Sequence, residues 1–175
     1  PSFYSPYGPN KDRLDARKNL VLSEMLSNDF IYPNPSNLVI FPDNHDMSRY
    51  YTLVNQDLDR YKMGLIYVAT INRIPQVFYG TEYLAVSPGE RNDGLIRSDF
   101  PGGWDGDTIN AFTGKGLSAS QAEAQSFVRQ LLNWRKENPV IHSGKLIHFS
   151  PENGIYVYFR YNDQKKIMVI LNKNK

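Results

Sequence analysis

The order of its hydrophobic patterns restricts what this chain can fold into more than any other feature. A short apolar run, LVIF at residues 38–41, is followed by a helical pattern in which Leu58, Tyr61, Leu65 and Val68 face one way, then by a second short run, IPQVFYG at residues 74–80. Upstream, Leu14, Val21, Leu22, Met25 and Leu26 recur at helical spacing over residues 12–28, with Asn10 or Asp12 as cap and Pro33 and Pro35 preventing extension. Helix, strand, helix, strand is the order of a parallel sheet with crossover helices, whose strands, covered on both faces, are continuously apolar. Pro75 cannot donate to a ladder, so it is expected at the start of its strand.

Residues 81–117 are rich in glycine and poor in apolar periodicity, a connection far longer than packing requires; such loops are functional or disordered. A third helix is expected to begin near Ser118 or Ser120, because Ser118 with Gln121 and Ser120 with Glu123 both have capping-box spacing. It carries Ala124, Phe127, Val128, Leu131 and Leu132 inward, with Trp134 in core packing, and Pro139 stops it. From about residue 143 the pattern changes. KLIHF, GIYVYFRY and KIMVILN predict strands joined by SPEN and NDQK turns, with Ile155, Val157, Phe159 and Tyr161 alternating against Tyr156, Tyr158 and Arg160.

Composition excludes several classes. The 20 basic and 18 acidic residues are spread along the chain, so neither a nucleic-acid footprint nor a polybasic membrane patch stands out. No apolar run is long enough to span a bilayer, and no cysteine is available for disulfides or thiolate metal sites. The opening PSFYSPYGPN lacks the basic start and apolar centre of an export signal and reads as the middle of a longer polypeptide.

Chemistry concentrates where the first apolar run ends. Asp43, Asn44, His45 and Asp46 follow LVIF directly, and ligands of parallel sheets and barrels bind at the carboxyl ends of strands, where loops converge. Tyr79 and Glu82, after the second run, would face the same mouth if the strands are neighbours. Asn and Asp also favour turns and caps for purely local reasons, so spacing alone leaves a turn and a site as equal readings. A metal centre is disfavoured, because the only other imidazoles, His142 and His148, lie in the late strand region; both are read as structural. DNHD is shared with metallophosphoesterases, but their further Asp and His motifs are missing. No G-x-S-x-G elbow, P-loop or dinucleotide glycine spacing is present.

Two longer segments carry a resemblance. Phe41 with Asn44, His45 and Asp46, and RIPQVFYGTE at residues 73–82, resemble the seventh and eighth strand ends of the catalytic barrel in the alpha-amylase family of glycoside hydrolases. NDGLIRSDFPGGW and FVRQLLNWRKENPVI resemble the loop and helix that follow. The fold this implies is α/β: the C-terminal portion of a TIM (β/α)8 barrel over residues 1–142, comprising the last two strand-helix units and the preceding helix, then antiparallel strands of a sandwich domain from residue 143. Pro42 inside the first motif and Thr81, where the family often has an acid, depart from the pattern.

The resemblance implies that Asp46 is the third acidic residue of a retaining glycosidase, steadying an oxocarbenium-like sugar, with His45 hydrogen-bonding the same ring. Asn44, Arg97 and Tyr79 are further substrate-binding candidates, and Asp99 is expected in a structural salt link. Trp104, Tyr50 and Tyr51 are open between stacking on a pyranose and packing the fold. The implied substrate is a starch-like or maltodextrin-like alpha-glucan, with neither nucleic acid nor membrane as partner. Calcium is common in the family, but no ligand set for it is found; a bacterial periplasmic or secreted setting agrees with the resemblance. No segment resembles the strand bearing the family's nucleophile, and Glu24, Glu82, Glu90, Glu123, Glu137 and Glu152 lie in no matching context for its acid. These 175 residues are therefore expected to be a fragment without turnover. The alternative is a non-catalytic carbohydrate-binding or scaffold piece that self-associates through an exposed barrel edge.

Overall fold

The computed structural model describes residues 25–88 and 92–174. The helix expected over residues 12–28 lies outside them except for its last turn, where residues 25–27 are helical. Strand β1 (Val39–Ile40) pairs in parallel with β2 (Ile74–Pro75), Val39 opposite Ile74 and Ile40 opposite Pro75. Both strands are shorter than their apolar runs, and Pro75 does not start β2. The Ile74 amide donates to the Leu38 carbonyl (3.0 Å) and the Gln76 amide to Ile40 (2.8 Å), so the missing donor of Pro75 falls between two ladder bonds and costs the pairing nothing. Coverage on both faces is also not what is found. Ile40 is buried, whereas Val39 and Ile74, side by side on the opposite face, are 51% and 48% exposed.

Helices α1 (Tyr50–Leu53) and α2 (Leu58–Thr70) fill the crossover between the strands. The Asp57 carboxylate caps α2 by accepting from the amides of Asp59 and Arg60, both at 3.0 Å. This helix is the hub of the packing because it is buried on two sides. Tyr67, Val68 and Ile71 join Ile40 with Tyr156, Tyr158, Val169 and Leu171; Tyr61 and Leu65 join Tyr50, Val54, Leu84, Ala124 and Val128. Tyr50 approaches so closely that a Cβ on Gly64 would lie 1.8 Å from its hydroxyl oxygen, which fixes a glycine there despite its helical cost.

The long connection after β2 is ordered rather than structureless where described. It holds a 3-10 turn (Thr81–Tyr83), the short helix α3 (Asp93–Ile96), and a bridge between Asn110 and Lys115. Helix α4 (Ala119–Lys136) starts after Ser118, whose hydroxyl accepts the Gln121 amide while the Gln121 side chain accepts the Ser118 amide, a complete capping box. Its inward stripe runs Ala124, Val128, Leu131 and then Arg135, which donates to the Ala69 carbonyl. Leu132 and Trp134 lie roughly 80° to either side of that stripe at 100° per residue. Both are over a third exposed, contrary to the inward placement expected of them. Pro139 stops α4 and also opens α5 (Pro139–Ser143) at a first-turn position that needs no amide donor.

Strands β3 (Lys145–His148), β4 (Ile155–Tyr161) and β5 (Lys166–Asn172) form an antiparallel sheet in the order β3-β4-β5. On β4 the buried set is Tyr156, Tyr158 and Arg160, while Ile155, Val157 and Phe159 face away from α2. Polar tips explain this choice. The Tyr158 hydroxyl hydrogen-bonds Thr70 Oγ1, and the Arg160 guanidinium donates to the carbonyls of Thr70 (3.3 Å) and Gly144 (2.7 Å) and to Asn72 Oδ1 (3.2 Å). Those acceptors surround the C-terminal end of α2, where unpaired carbonyls carry partial negative charge. Burial, and secondarily the nearby Arg135, lowers the Arg160 pKa to about 10, which leaves it cationic at neutral pH. Replacing Arg160 with Met leaves these oxygens without donors, and urea unfolding is expected to show a loss of about 2–4 kcal/mol. Met168→Gln on the outward face should shift stability by less than about 0.5 kcal/mol.

Candidate active-site edge

Because β1 and β2 run in parallel, the turns that follow them emerge on the same edge of the sheet. The first spans residues 41–49. Within it Asp43 turns inward instead of joining the mouth: it is fully buried, accepts the Tyr50 amide (2.9 Å) and the Thr81 hydroxyl (2.7 Å), and lies 3.2 Å from Arg49 Nε. Arg49 is buried as well. Its Nη2 donates to the Tyr79 carbonyl (2.6 Å) and Thr81 Oγ1 (3.2 Å), its Nη1 to the Ile96 carbonyl (3.4 Å), and its guanidinium lies 4.6 Å from the Phe78 ring centroid. One buried cation therefore ties the turn after β1 to the segment after β2 and to the end of α3.

Burial pushes the Asp43 carboxyl above the usual carboxylate range, against the opposing pull of Arg49, Thr81 and the Tyr50 amide. Glu82, half-buried nearby, is raised for the same first reason. Neither carboxyl is solvated like a surface acid.

Above this floor the turn exposes His45 and Asp46, each with 60% of its side chain accessible. His45 Nε2 is 3.2 Å from Asp46 Oδ2, and Arg97, just past α3, places Nη2 3.1 Å from Asp46 Oδ1 and donates from Nε to the His45 carbonyl at 3.0 Å. Arg97, 51 positions from Asp46 in sequence, is thus brought to the adjacent His45 and Asp46. Both Asp46 oxygens are engaged, one by each cationic or ionisable neighbour. Arg97 also pairs with Asp93 at 3.4 Å, so the structural salt link expected for Asp99 is made by Asp93 and Asp46 instead, because the helical turn of α3 stacks Asp93 and Arg97 on one face.

The remaining candidates divide. Asn44 spends its side-chain oxygen on the Asp46 amide (2.9 Å), forming the local turn that its residue type favours. Tyr79 is not in the trio; its ring packs on Phe78 with centroids 4.5 Å apart and its hydroxyl donates to the Ser98 carbonyl at 3.1 Å, beside Arg97. Tyr50 and Tyr51 pack on Tyr61 in the core, and Trp104 stands exposed. His142 bonds the Arg135 carbonyl and His148 the Tyr156 hydroxyl, so both are structural. Among the described residues no group of acidic and imidazole side chains is placed to hold a metal. Sequence reasoning missed Arg49 and the role of Thr81. The faint signal was an arginine directly preceding two tyrosines, three places after Asp46, a residue type that is normally exposed.

The Cyclo-malto-dextrinase C-terminal domain family matches residues 146–175. The chain is 27% identical to a maltogenic alpha-amylase of Bacillus acidopullulyticus over 97% of its own length and 28% of that protein. It is 26% identical to a cyclomaltodextrin glucanotransferase of Klebsiella oxytoca over 78% of its length and 23% of that protein. The crystal structure of an alpha-amylase from Geobacillus thermoleovorans complexed with acarbose superposes with a TM-score of 0.66 and 20% identity, covering 87% of this chain and 31% of the other. The chain thus spans less than a third of each of these relatives. The shared fold makes β1 and β2 with their helices the C-terminal portion of a TIM barrel, and β3–β5 antiparallel strands of the sandwich that follows.

The buried pair is open to direct test. Arg49→Met leaves a desolvated carboxylate without its counter-ion and should cost about 3–5 kcal/mol in urea unfolding. Asp43→Asn should cost less, about 1–3 kcal/mol, because Arg49 keeps the carbonyls of Tyr79 and Ile96 and the Thr81 hydroxyl as acceptors.

Proposed function

We propose, on the premise that this chain belongs to the alpha-amylase family of glycoside hydrolases, that residues 1–142 contribute to the barrel of an enzyme hydrolysing alpha-glucosidic bonds of starch-like or maltodextrin-like glucans with retention. Residues 143–175 then begin its C-terminal β domain. Asp46 is the supporting carboxylate, His45 and Arg97 are substrate-binding residues, and Asn44 and Tyr79 shape the surrounding turn. The observation that carries this reading is the convergence of Asp46, His45 and Arg97 at one edge of two parallel strands, over a buried ionic floor.

The chemistry follows from the residue types. Cleavage of a glycoside builds positive charge on the sugar ring, and retention requires two further carboxyl groups about 5–5.5 Å apart, one nucleophile and one acid/base. A third carboxylate that accepts hydrogen bonds from sugar hydroxyls binds more strongly as those hydroxyls become more acidic in the transition state. Arg97 and His45 hold the Asp46 carboxylate in place, and each offers a donor that a sugar hydroxyl can replace. Substrate therefore exchanges one set of hydrogen bonds for another, and binding should weaken less with salt than a free charged site would.

None of the carboxylates in these 175 residues is assigned as nucleophile or acid. The purified chain is expected to release no reducing sugar from maltooligosaccharides above an Asp46→Ala control, and release above that control would overturn the assignment. A second reading, self-association, is favoured by one observation: Phe30, Ile31, Val39 and Ile74 are all substantially exposed. Light scattering decides it, since a concentration-independent monomer at 20.1 kDa removes that reading and a dimer or larger species supports it.

A further inference from the structure

The trio of Asp46, His45 and Arg97 is too exposed to hold its own arrangement. The side chains of His45 and Asp46 are each 60% accessible and that of Arg97 is 44% accessible. Ion pairs in water gain little, because solvent screens the attraction and long side chains lose rotamer freedom when they are fixed. Their placement therefore has to come from beneath, and the contacts beneath lead to one buried side chain, Arg49.

Arg97 is gripped through the carbonyls on either side of it. Arg49 Nη1 donates to the Ile96 carbonyl (3.4 Å), just before Arg97, and the Tyr79 hydroxyl donates to the Ser98 carbonyl (3.1 Å), just after it. Tyr79 is itself fixed by Arg49, whose Nη2 donates to its carbonyl at 2.6 Å. His45 is reached through a ring: the Phe78 centroid lies 4.6 Å from the Arg49 guanidinium carbon and 6.4 Å from the His45 ring centroid. Asp46 is held along the chain, in the turn that ends at Arg49, whose amide donates to Ser87 Oγ at 2.9 Å. Gly80, at φ +88°, permits the approach, since a Cβ there would lie 3.1 Å from Nη2. A planar guanidinium can make these contacts together because its donors diverge within one plane while its face stays free for a ring; an ammonium group is a point charge and cannot.

We infer that Arg49 is the positioning residue of the trio: sealed from solvent, it sets where Arg97 and His45 stand relative to Asp46 without touching substrate itself. Its bearing on a sugar rests on the glucan reading above, whereas its contacts do not. The competing role is that of a counter-ion to Asp43 and nothing more. Two variants separate the roles. Asp43→Asn removes the charge pair but leaves Arg49 its bonds to the Tyr79 and Ile96 carbonyls. Arg49→Lys keeps a cation beside Asp43 but cannot span those two carbonyls or lie flat on Phe78.

The ¹⁵N-labelled 175-residue chain is followed by NMR through the Arg97 Nε–H signal, identified by its loss in Arg97→Lys. That group donates to the His45 carbonyl and so reports the trio directly. Its hydrogen exchange with water is expected to be slowed in the unaltered chain, to quicken about tenfold in Arg49→Lys, and to stay within about twofold in Asp43→Asn, although both variants lower the urea midpoint. An unprotected signal in the unaltered chain, equal quickening in both variants, or no quickening in Arg49→Lys overturns the assignment. Where either variant lacks a folded spectrum, Tyr79→Phe decides, because it cuts the same relay at its exposed end: quicker Arg97 exchange supports the assignment and unchanged exchange overturns it. Titrating the unaltered chain with maltoheptaose tests the glucan reading by itself. A protected Arg97 signal that maltoheptaose leaves unmoved supports the positioning role and counts against the substrate.

Discussion

A desolvated carboxylate can persist beside a sheet only if its counter-charge is fixed, and the Asp43–Arg49 pair meets that condition with both partners buried. Arg49 reaches carbonyls on two other segments while Asp43 takes the first amide of α1 and the Thr81 hydroxyl. Three pieces of chain that share no regular secondary structure are therefore held in one register. A pair of this kind adds little net stability compared with well-packed apolar groups, but it penalises any rearrangement that leaves either charge alone in the interior. The exposed turn bearing His45 and Asp46 inherits its position from that penalty. So does Arg97, which follows the Ile96 carbonyl that Arg49 holds.

The same device recurs at the opposite end of α2. Arg135 from α4 and Arg160 from β4 converge on its last carbonyls, so the helix C-terminus serves as the acceptor that joins barrel helices to the sheet. No carboxylate accompanies Arg160 among its bonded partners; backbone oxygens and Asn72 solvate it. Among the described residues its buried Nε, like that of Arg49, makes no hydrogen bond, so both joints are held by most of the arginine's hydrogen-bonding capacity rather than all of it. Tyr158, bonded to Thr70 and set edge-on to Tyr67, completes the contact. The high tyrosine content of the chain is thus partly an interface property: rings bury area while hydroxyls reach backbone that would otherwise be left unpaired.

Element types were legible because periodicity reports them. The apolar runs near Ile40 and Ile74, the 3.6-residue stripes of α2 and α4, the Ser118 capping box and the alternation of β4 all follow from side-chain direction along a helix or strand. Lengths and orientations were less so. β2 stops at Pro75 because strand extent depends on a neighbour's register, and Leu132 and Trp134 lie outside the packed stripe because α2 touches α4 along one line only. In the site, Asp46, His45 and Arg97 were visible as residue types beside turns. Arg49 was not, since its place ahead of two tyrosines is only a faint local sign of burial.

By itself the sequence determined where chemistry can sit: polar residues directly after an apolar run, and a glycine-bearing connection after the next, are local properties of the chain. Tertiary structure alone decided which of those polar residues face water. Asp43 and Asp46 are only three positions apart and chemically identical, yet one is sealed against Arg49 and the other is open beside Arg97. Part of that difference comes from partners brought in from residues 79–97, Thr81 for Asp43 and Arg97 for Asp46, and interactions between segments so far apart in sequence are settled by packing, not by local pattern.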